Sequence, residues 1–343
     1  MNRILIVRLG SLGDIVHAVP AAAAVMRAWP SAAVDWVTAP GYRELVGMVR
    51  GLRRVITLDT RRVTGPDGIL ATLRTLRASR YDAVLDLQGL LKSAVLARLA
   101  GGARTLGFSR ADLREPLAAT CYGETVDVSA ATHVIDKGLA LVRALGGPAH
   151  ASGASPAFPL DVPEVPAVQT LAARTAPGGY ALLNPGAAWP NKQWPVERFG
   201  AVAQALRRER GLPSVVLWGP GEHARAEAVV AASAGAAELA PPATIPGIAA
   251  LAKQARLVVS GDTGPLHLAA AVGAPAVALF GPTRAERNGP WSADDVSISR
   301  FADCQCAYQR RCTRDVPCLH GIETAEVVGA AALRLDRAAR TVR

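Results

Sequence analysis

The chain has 343 residues, half of them hydrophobic and 19% charged, which excludes a disordered polypeptide and gives room for two cores. Only 5% are aromatic, so those cores must be built mainly from Ala, Val and Leu. The formal charge of +10 points to an acidic partner; the basic residues form no dense run, which sets nucleic acid aside in favour of a phosphorylated substrate or a lipid surface.

The first half alternates short β runs with helical stretches. RILIVR, residues 3–8, predicts a buried strand, followed by a helix from Asp14 to Ala28. Its four consecutive apolar residues end at Arg8, too few for a secretory signal. No later segment approaches the roughly 20 apolar residues of a membrane span, so a cytosolic protein is expected. AVDWVT, RRVITLD and YDAVLDL predict three more strands, with helices from Tyr42, from Asp67 and over LLKSAVLARLA. Continuous apolar strands interleaved with helices predict a parallel sheet covered on both faces.

Between Gly146 and Gly179, Pro, Gly and Ser dominate, and a linker with one edge strand is expected. Alternation then resumes: YALLNP, SVVLWG, ARLVVSG and PAVALFG predict strands, with helices from Pro195, from Glu222, near Ile248 and over GPLHLAAAV. The pattern predicts an α/β chain with two Rossmann-like domains, 1–160 and 175–322. Ligands are expected at strand carboxyl ends, facing a cleft between the domains. A last helix, 323–343, is free to pack back on the first domain.

The loops carry the candidate chemistry. In LGSLGD, two residues separate Gly10 from Gly13, which lacks the G-x-G-x-x-G spacing of a dinucleotide site and weighs against an NAD enzyme. Asp14 either caps the following helix, worth roughly 1 kcal/mol, or stands at a strand's carboxyl end as a general base. Lys192, in NPGAAWPNKQWPVERF, is either an anion contact ahead of a helix N-terminus or an ordinary surface lysine. Glu222 either accepts from a ribose diol or is a first-turn glutamate favoured by the helix dipole. In SGDTGPLHLAAA, the amides of Thr263 and Gly264, with His267 in the first turn, suit a phosphate. Asp262 suits sugar hydroxyls or the ordering of that loop.

Cys304, Cys306, Cys312 and Cys318 follow C-x-C-x5-C-x5-C, with Cys121 apart. The paired C-x2-C of zinc knuckles is missing, so the cluster reads as a thiol-rich loop, with a metal site as the alternative.

Taken together, LGSLGDIVHAVPA, VDWVTAPGY, DLQGLLKSAVLARLAG, GFSRADLREPLA, HVIDKGLALVRALG, PNKQWP and DTGPLHLAAA resemble glycosyltransferase family 9 nearly end to end. Within it, the first five look most like the lipopolysaccharide heptosyltransferases of type I. The resemblance implies the GT-B architecture of two Rossmann-like domains and an inverting transferase without a cofactor. Its donor would be ADP-heptose and its acceptor Kdo-lipid A, reached at the inner face of the cytoplasmic membrane. Protein cations would replace a divalent metal.

Carried over residue by residue, Asp14 is the base, Lys192 the contact to the donor phosphates and Glu222 the ribose acceptor. Asp262, Thr263, Gly264 and His267 form the donor-binding loop. Gly13, Lys92, Arg110 and Arg114 are candidate acceptor contacts. A family 9 transferase using another nucleotide sugar or acceptor is the alternative. A metal-binding or redox-sensing module built on the cysteines is the distant one.

Overall fold

The apolar runs of the first half pair as parallel strands buried on both faces, as their lack of polar alternation requires. In the computed structural model, which describes residues 1–148, 155–175 and 178–341, the chain divides into two units. The first is Met1–Asp161 and the second begins at Val162.

Unit one holds strands β1 (Arg3–Val7), β2 (Ala33–Thr38), β3 (Arg54–Thr57), β4 (Ala83–Asp86), β5 (Arg104–Phe108) and β6 (Glu124–Val126). Its helices are α1 (Leu12–Ala28), α2 (Arg43–Gly47), α3 (Ile69–Ala78), α4 (Leu91–Leu99) and α5 (Val134–Leu145). The sheet order is β3-β2-β1-β4-β5-β6. Asp14 is the third residue of α1, whose N-cap is Ser11, so the helix begins two residues before the predicted start. From Ile15 to Val25 α1 is buried all round, and α5 is the helix packed against it.

The second unit holds α6 (Pro166–Thr175), β7 (Ala181–Asn184), α7 (Val196–Arg210), β8 (Ser214–Val216), α8 (His223–Ala232), β9 (Ala237–Leu239) and α9 (Ile245–Gln254). It continues through β10 (Leu257–Gly261), α10 (Gly264–Ala271), β11 (Ala276–Phe280), α11 (Ala285–Asn288), β12 (Val296–Ser299) and α12 (Thr324–Thr341). Its sheet order is β12-β11-β10-β7-β8-β9. Counted within each unit, both sheets therefore run 3-2-1-4-5-6, the doubly wound order whose direction reverses between the first and fourth strands. That reversal lies between β1 and β4 in one unit, with Val7 opposite Asp86. In the other it lies between β7 and β10, with Ser260 opposite Asn184.

One expectation is corrected. The stretch from Gly146 to Gly179, of which residues 149–154, 176 and 177 lie outside the described residues, holds no edge strand among those described. Leu160 makes a single antiparallel bridge to Val49, and α6 sends Val168 and Leu171 into the second unit's core. The final helix is part of the second unit. Val327, Ala330, Ala331 and Leu335 bury one side of α12 in the core shared with α7 and the β10–β11 face. No helix among the described residues is long and apolar enough to cross a membrane.

The α7–α8 contact depends on a missing side chain. A Cβ at Gly200 would stand 2.6 Å from the Ala232 Cβ and 2.7 Å from its carbonyl carbon. Gly200→Val is expected to destabilise the protein by about 1–3 kcal/mol through overpacking, seen as a lower urea midpoint.

Candidate active site

In a doubly wound sheet, the loops leaving the two strands at the reversal point diverge to opposite faces and leave a crevice at the strand ends. In unit one, a cavity of about 500 Å³ opens at that position. Asp14 lines it from the first turn of α1, Gln88 and Lys92 from the segment after β4, and Tyr42, Asp59 and Arg61 from the segments after β2 and β3.

Asp14 caps α1, and its carboxylate also lines the cavity. Oδ2 accepts from the backbone N–H of Ser11 at 3.2 Å and from its hydroxyl at 3.0 Å, which closes a capping box. Oδ1 meets Arg8 Nη2 at 2.9 Å, and 42% of the side chain remains exposed. A carboxylate offers about four lone-pair sites, so capping does not exhaust it. Gly10 is what lets the loop lie against Tyr42, because a Cβ there would meet the ring at 2.8 Å.

Of the candidate acceptor contacts, Lys92 shares the cavity with Asp14. Gly13 is buried inside α1, while Arg110 and Arg114 are exposed on the turn after β5 and do not line the cavity. That turn is nevertheless docked where α4 begins, since Glu115 accepts from Leu91 N–H at 2.7 Å.

Beneath the cavity lies Asp86, a fully buried carboxyl at the end of β4. It accepts from Tyr122 and Ser93 hydroxyls, both at 2.8 Å, and from the amides of Gln88 and Gly89. Burial pushes its pKa up, against the pull of those hydrogen bonds. The effect is to shape the turn that presents Gln88, whose Oε1 accepts from Leu9 N–H at 2.8 Å.

The second unit's reversal point is organised around Asp262, whose side chain is 3% exposed. Oδ2 accepts from Lys192 Nζ and from the Thr283 hydroxyl, each at 2.5 Å. Oδ1 accepts from Asn288 Nδ2 at 2.6 Å and lies 3.1 Å from His267 Nε2. Burial alone would raise the carboxyl pKa; the His267 hydrogen bond and charge, with those of Lys192, overcome it and hold the group well below the usual carboxylate range. Of the two uses considered for Asp262, the structure shows loop ordering. His267 likewise directs Nε2 to Asp262, where a phosphate oxygen had been expected.

Thr263 is the N-cap of α10, and its hydroxyl is taken by Asn184, which also donates to Ser260. Gly264 opens the helix with an amide that has no partner four residues back, and Pro265 at the next position has none to offer. Lys192 also lies 4.6 Å from the Trp189 ring centroid, a cation–π contact. Glu222, the N-cap of α8, accepts from Gly219 N–H at 3.0 Å. Its carboxylate lies over Gly186, where a Cβ would come within 2.3 Å of it. Arg225 pins the loop that carries Lys192, donating to the carbonyls of Pro185 and Trp194 at 2.8 and 2.5 Å.

Sequence reasoning did not single out Arg8, Gln88, Asn184, Arg225, Thr283 or Asn288. The one available hint for Thr283 was the strand-then-glycine ending FGPT, which echoes the ends of the other site loops.

The cysteines are all free thiols, and Cys306 is the buried one. Cys306 accepts from Thr313 N–H at 3.1 Å. Burial and then Cys304 push the Cys318 thiol up to about 12. Among the described residues, no group of three or more His, Cys, Asp or Glu side chains is arranged to hold a metal ion.

The model for glycosyltransferase family 9 (heptosyltransferase) matches residues 69–319. Lipopolysaccharide heptosyltransferase 1 of Pseudomonas aeruginosa is 31% identical over 322 residues, covering 91% of this chain and 87% of that protein. The solved structure of E. coli heptosyltransferase WaaC with ADP superposes with a TM-score of 0.74 at 26% identity, covering 98% of this chain and 99% of that one. WaaC with ADP-2-deoxy-2-fluoro heptose also gives 0.74, at 27% identity, covering 95% and 97%. With its two Rossmann-like units in tandem, the chain has the GT-B fold and belongs to glycosyltransferase family 9.

Proposed function

We propose that this chain is an inverting heptosyltransferase, moving heptose from ADP-heptose to the Kdo region of lipid A in lipopolysaccharide inner-core synthesis. One observation carries the reading. Two sheets with the same strand order present opposite charges in the segment that follows their first strands: the carboxylate of Asp14 in unit one and the ammonium of Lys192 in the second. A single displacement needs both, a base for the incoming hydroxyl and a cation for the departing diphosphate.

In this reaction the Asp14 carboxylate takes the proton of an acceptor hydroxyl. The oxygen forms a bond to the anomeric carbon while the bond from that carbon to the diphosphate breaks, and ADP departs from the opposite face. Lys192 and the Gly264 amide stabilise the negative charge gathering on the leaving oxygens. Thr263 and His267 hold that loop in shape, and Glu222 receives the ribose hydroxyls. Lys92 gives the Asp14 cavity a cation for an acidic sugar. The net charge of +10 suits an acceptor that bears phosphates and carboxylates, met at the inner face of the cytoplasmic membrane.

Release of ADP from ADP-heptose, measured with and without Kdo-lipid A and beside UDP- and GDP-sugars, tests the assignment. Release should require both ADP-heptose and Kdo-lipid A; preference for another nucleotide or indifference to the acceptor would replace donor or acceptor. Lys192→Ala should weaken ADP binding by roughly 10–100-fold in calorimetry, the equivalent of one charge-assisted hydrogen bond of about 1.5–3 kcal/mol. Unchanged affinity would remove Lys192 from the phosphate site.

A further inference from the structure

We infer that Arg8 is a positioning residue for Asp14, fixing the carboxylate's orientation and keeping it ionised in the pH range where it works as a base. The inference rests on the reading of Asp14 given above.

Arg8 leaves the end of β1, and 13% of its side chain is exposed. Nη1 donates to the Leu87 carbonyl just beyond β4, so the guanidinium spans the point where the sheet order reverses. Nε is buried with no hydrogen-bond partner, and Nη2 is directed at Asp14 Oδ1, 2.9 Å away. The backbone is held as well: the Arg8 carbonyl accepts from Trp36 Nε1 at 3.2 Å, and Leu9 N–H donates to Gln88. With Oδ2 taken by Ser11 and Oδ1 by Arg8, the carboxylate plane is set from both sides.

A guanidinium stays charged throughout the working range, and a cation in direct contact favours the ionised carboxylate, more strongly where the cation is shielded from water. Other titratable groups surround Asp14. Lys92 faces the same cavity from α4, Asp59 and Arg61 from the loop after β3, and Tyr42 from the loop after β2. His17 lies one turn further along α1, edge-on to His133 at the start of α5. Asp59 is paired with Arg61 and Arg62, so its charge is largely offset locally.

The test is the pH profile of kcat/KM for ADP-heptose and Kdo-lipid A in wild type, Arg8→Gln and Arg8→Lys, with Asp14→Asn alongside. The acid limb should move up by about one pH unit in Arg8→Gln, so activity falls most at low pH and least at high pH. Arg8→Lys keeps the charge but loses the fork geometry; its limb should stay at the wild-type position while kcat drops by roughly 10-fold. A uniform loss in Arg8→Gln with an unmoved limb, or a displaced limb in Arg8→Lys, would overturn the inference. If Arg8→Gln fails to fold, Arg8→Met takes its place, with the same upward displacement of the limb expected and an unmoved limb overturning the inference. Wild-type turnover by Asp14→Asn would instead defeat the base reading; an inactive Asp14→Asn with an unmoved Arg8→Gln limb defeats only the role of Arg8.

Discussion

Asp14→Ala is expected to lower kcat by about 10²–10⁴-fold, the usual worth of a positioned general base, while ADP affinity stays within twofold. The separation follows from where the residue stands. Asp14 lines the cavity of unit one, whereas the candidate phosphate ligands Lys192 and Gly264 belong to the second unit. The variant also loses the capping box with Ser11, at a cost of about 1 kcal/mol, so a modest drop in Tm accompanies the kinetic loss. Asp14→Asn separates the two effects. Its amide oxygen still accepts a capping hydrogen bond, but the group takes no proton at neutral pH. Loss of turnover in Asp14→Asn with the Tm preserved would establish base chemistry, and retained turnover would reduce Asp14 to a helix cap.

The second large effect belongs to Asp262. Asp262→Ala removes the acceptor shared by Lys192, Thr283, Asn288 and His267, leaving a lysine that is 14% exposed without its counter-charge. Breaking a buried pair from one side costs about 3–5 kcal/mol, measurable by urea unfolding, and ADP affinity should fall because the Lys192 ammonium loses its anchor. The same carboxylate makes stability depend on acid. Its folded pKa lies below the ordinary 3.8, so the unfolded chain binds the proton more readily between the two values. The contribution is therefore complete above about pH 5 and is lost as pH falls through 3.8 towards the folded value. In Asp262→Asn that part of the acid dependence should disappear, a difference visible in unfolding midpoints between pH 3 and 6.

Much of the fold was legible because it is local. The apolar runs that form β1, β2, β4, β7, β10 and β11 are buried along nearly their whole length, and nothing but a strand between helix layers suits such runs. The short edge strands β6, β9 and β12 were harder: their residues are only partly buried, so the apolar signal fades where one side of the strand has no neighbour. Helix α6 was hidden for a related reason. Its two buried anchors, Val168 and Leu171, are the only buried residues of a short helix that follows a proline-rich stretch.

The site divides along the same line. The sequence by itself determined that Gly-rich loops follow β1, β7 and β10 and carry Asp14, Lys192 and Asp262, and its motifs were enough to indicate the family. It left two readings open for each aspartate, since each follows an apolar strand and precedes a helix within a few residues of a glycine. Tertiary structure set the two apart. Asp14 remains 42% exposed beside a cavity, with Arg8 and Ser11 as neighbours. Asp262 is shut in by donors from positions 192, 267, 283 and 288. A carboxylate's role follows from its desolvation and from the charges and donors that reach it, and here those donors come from segments nearly a hundred residues apart that meet only when the parallel sheet assembles.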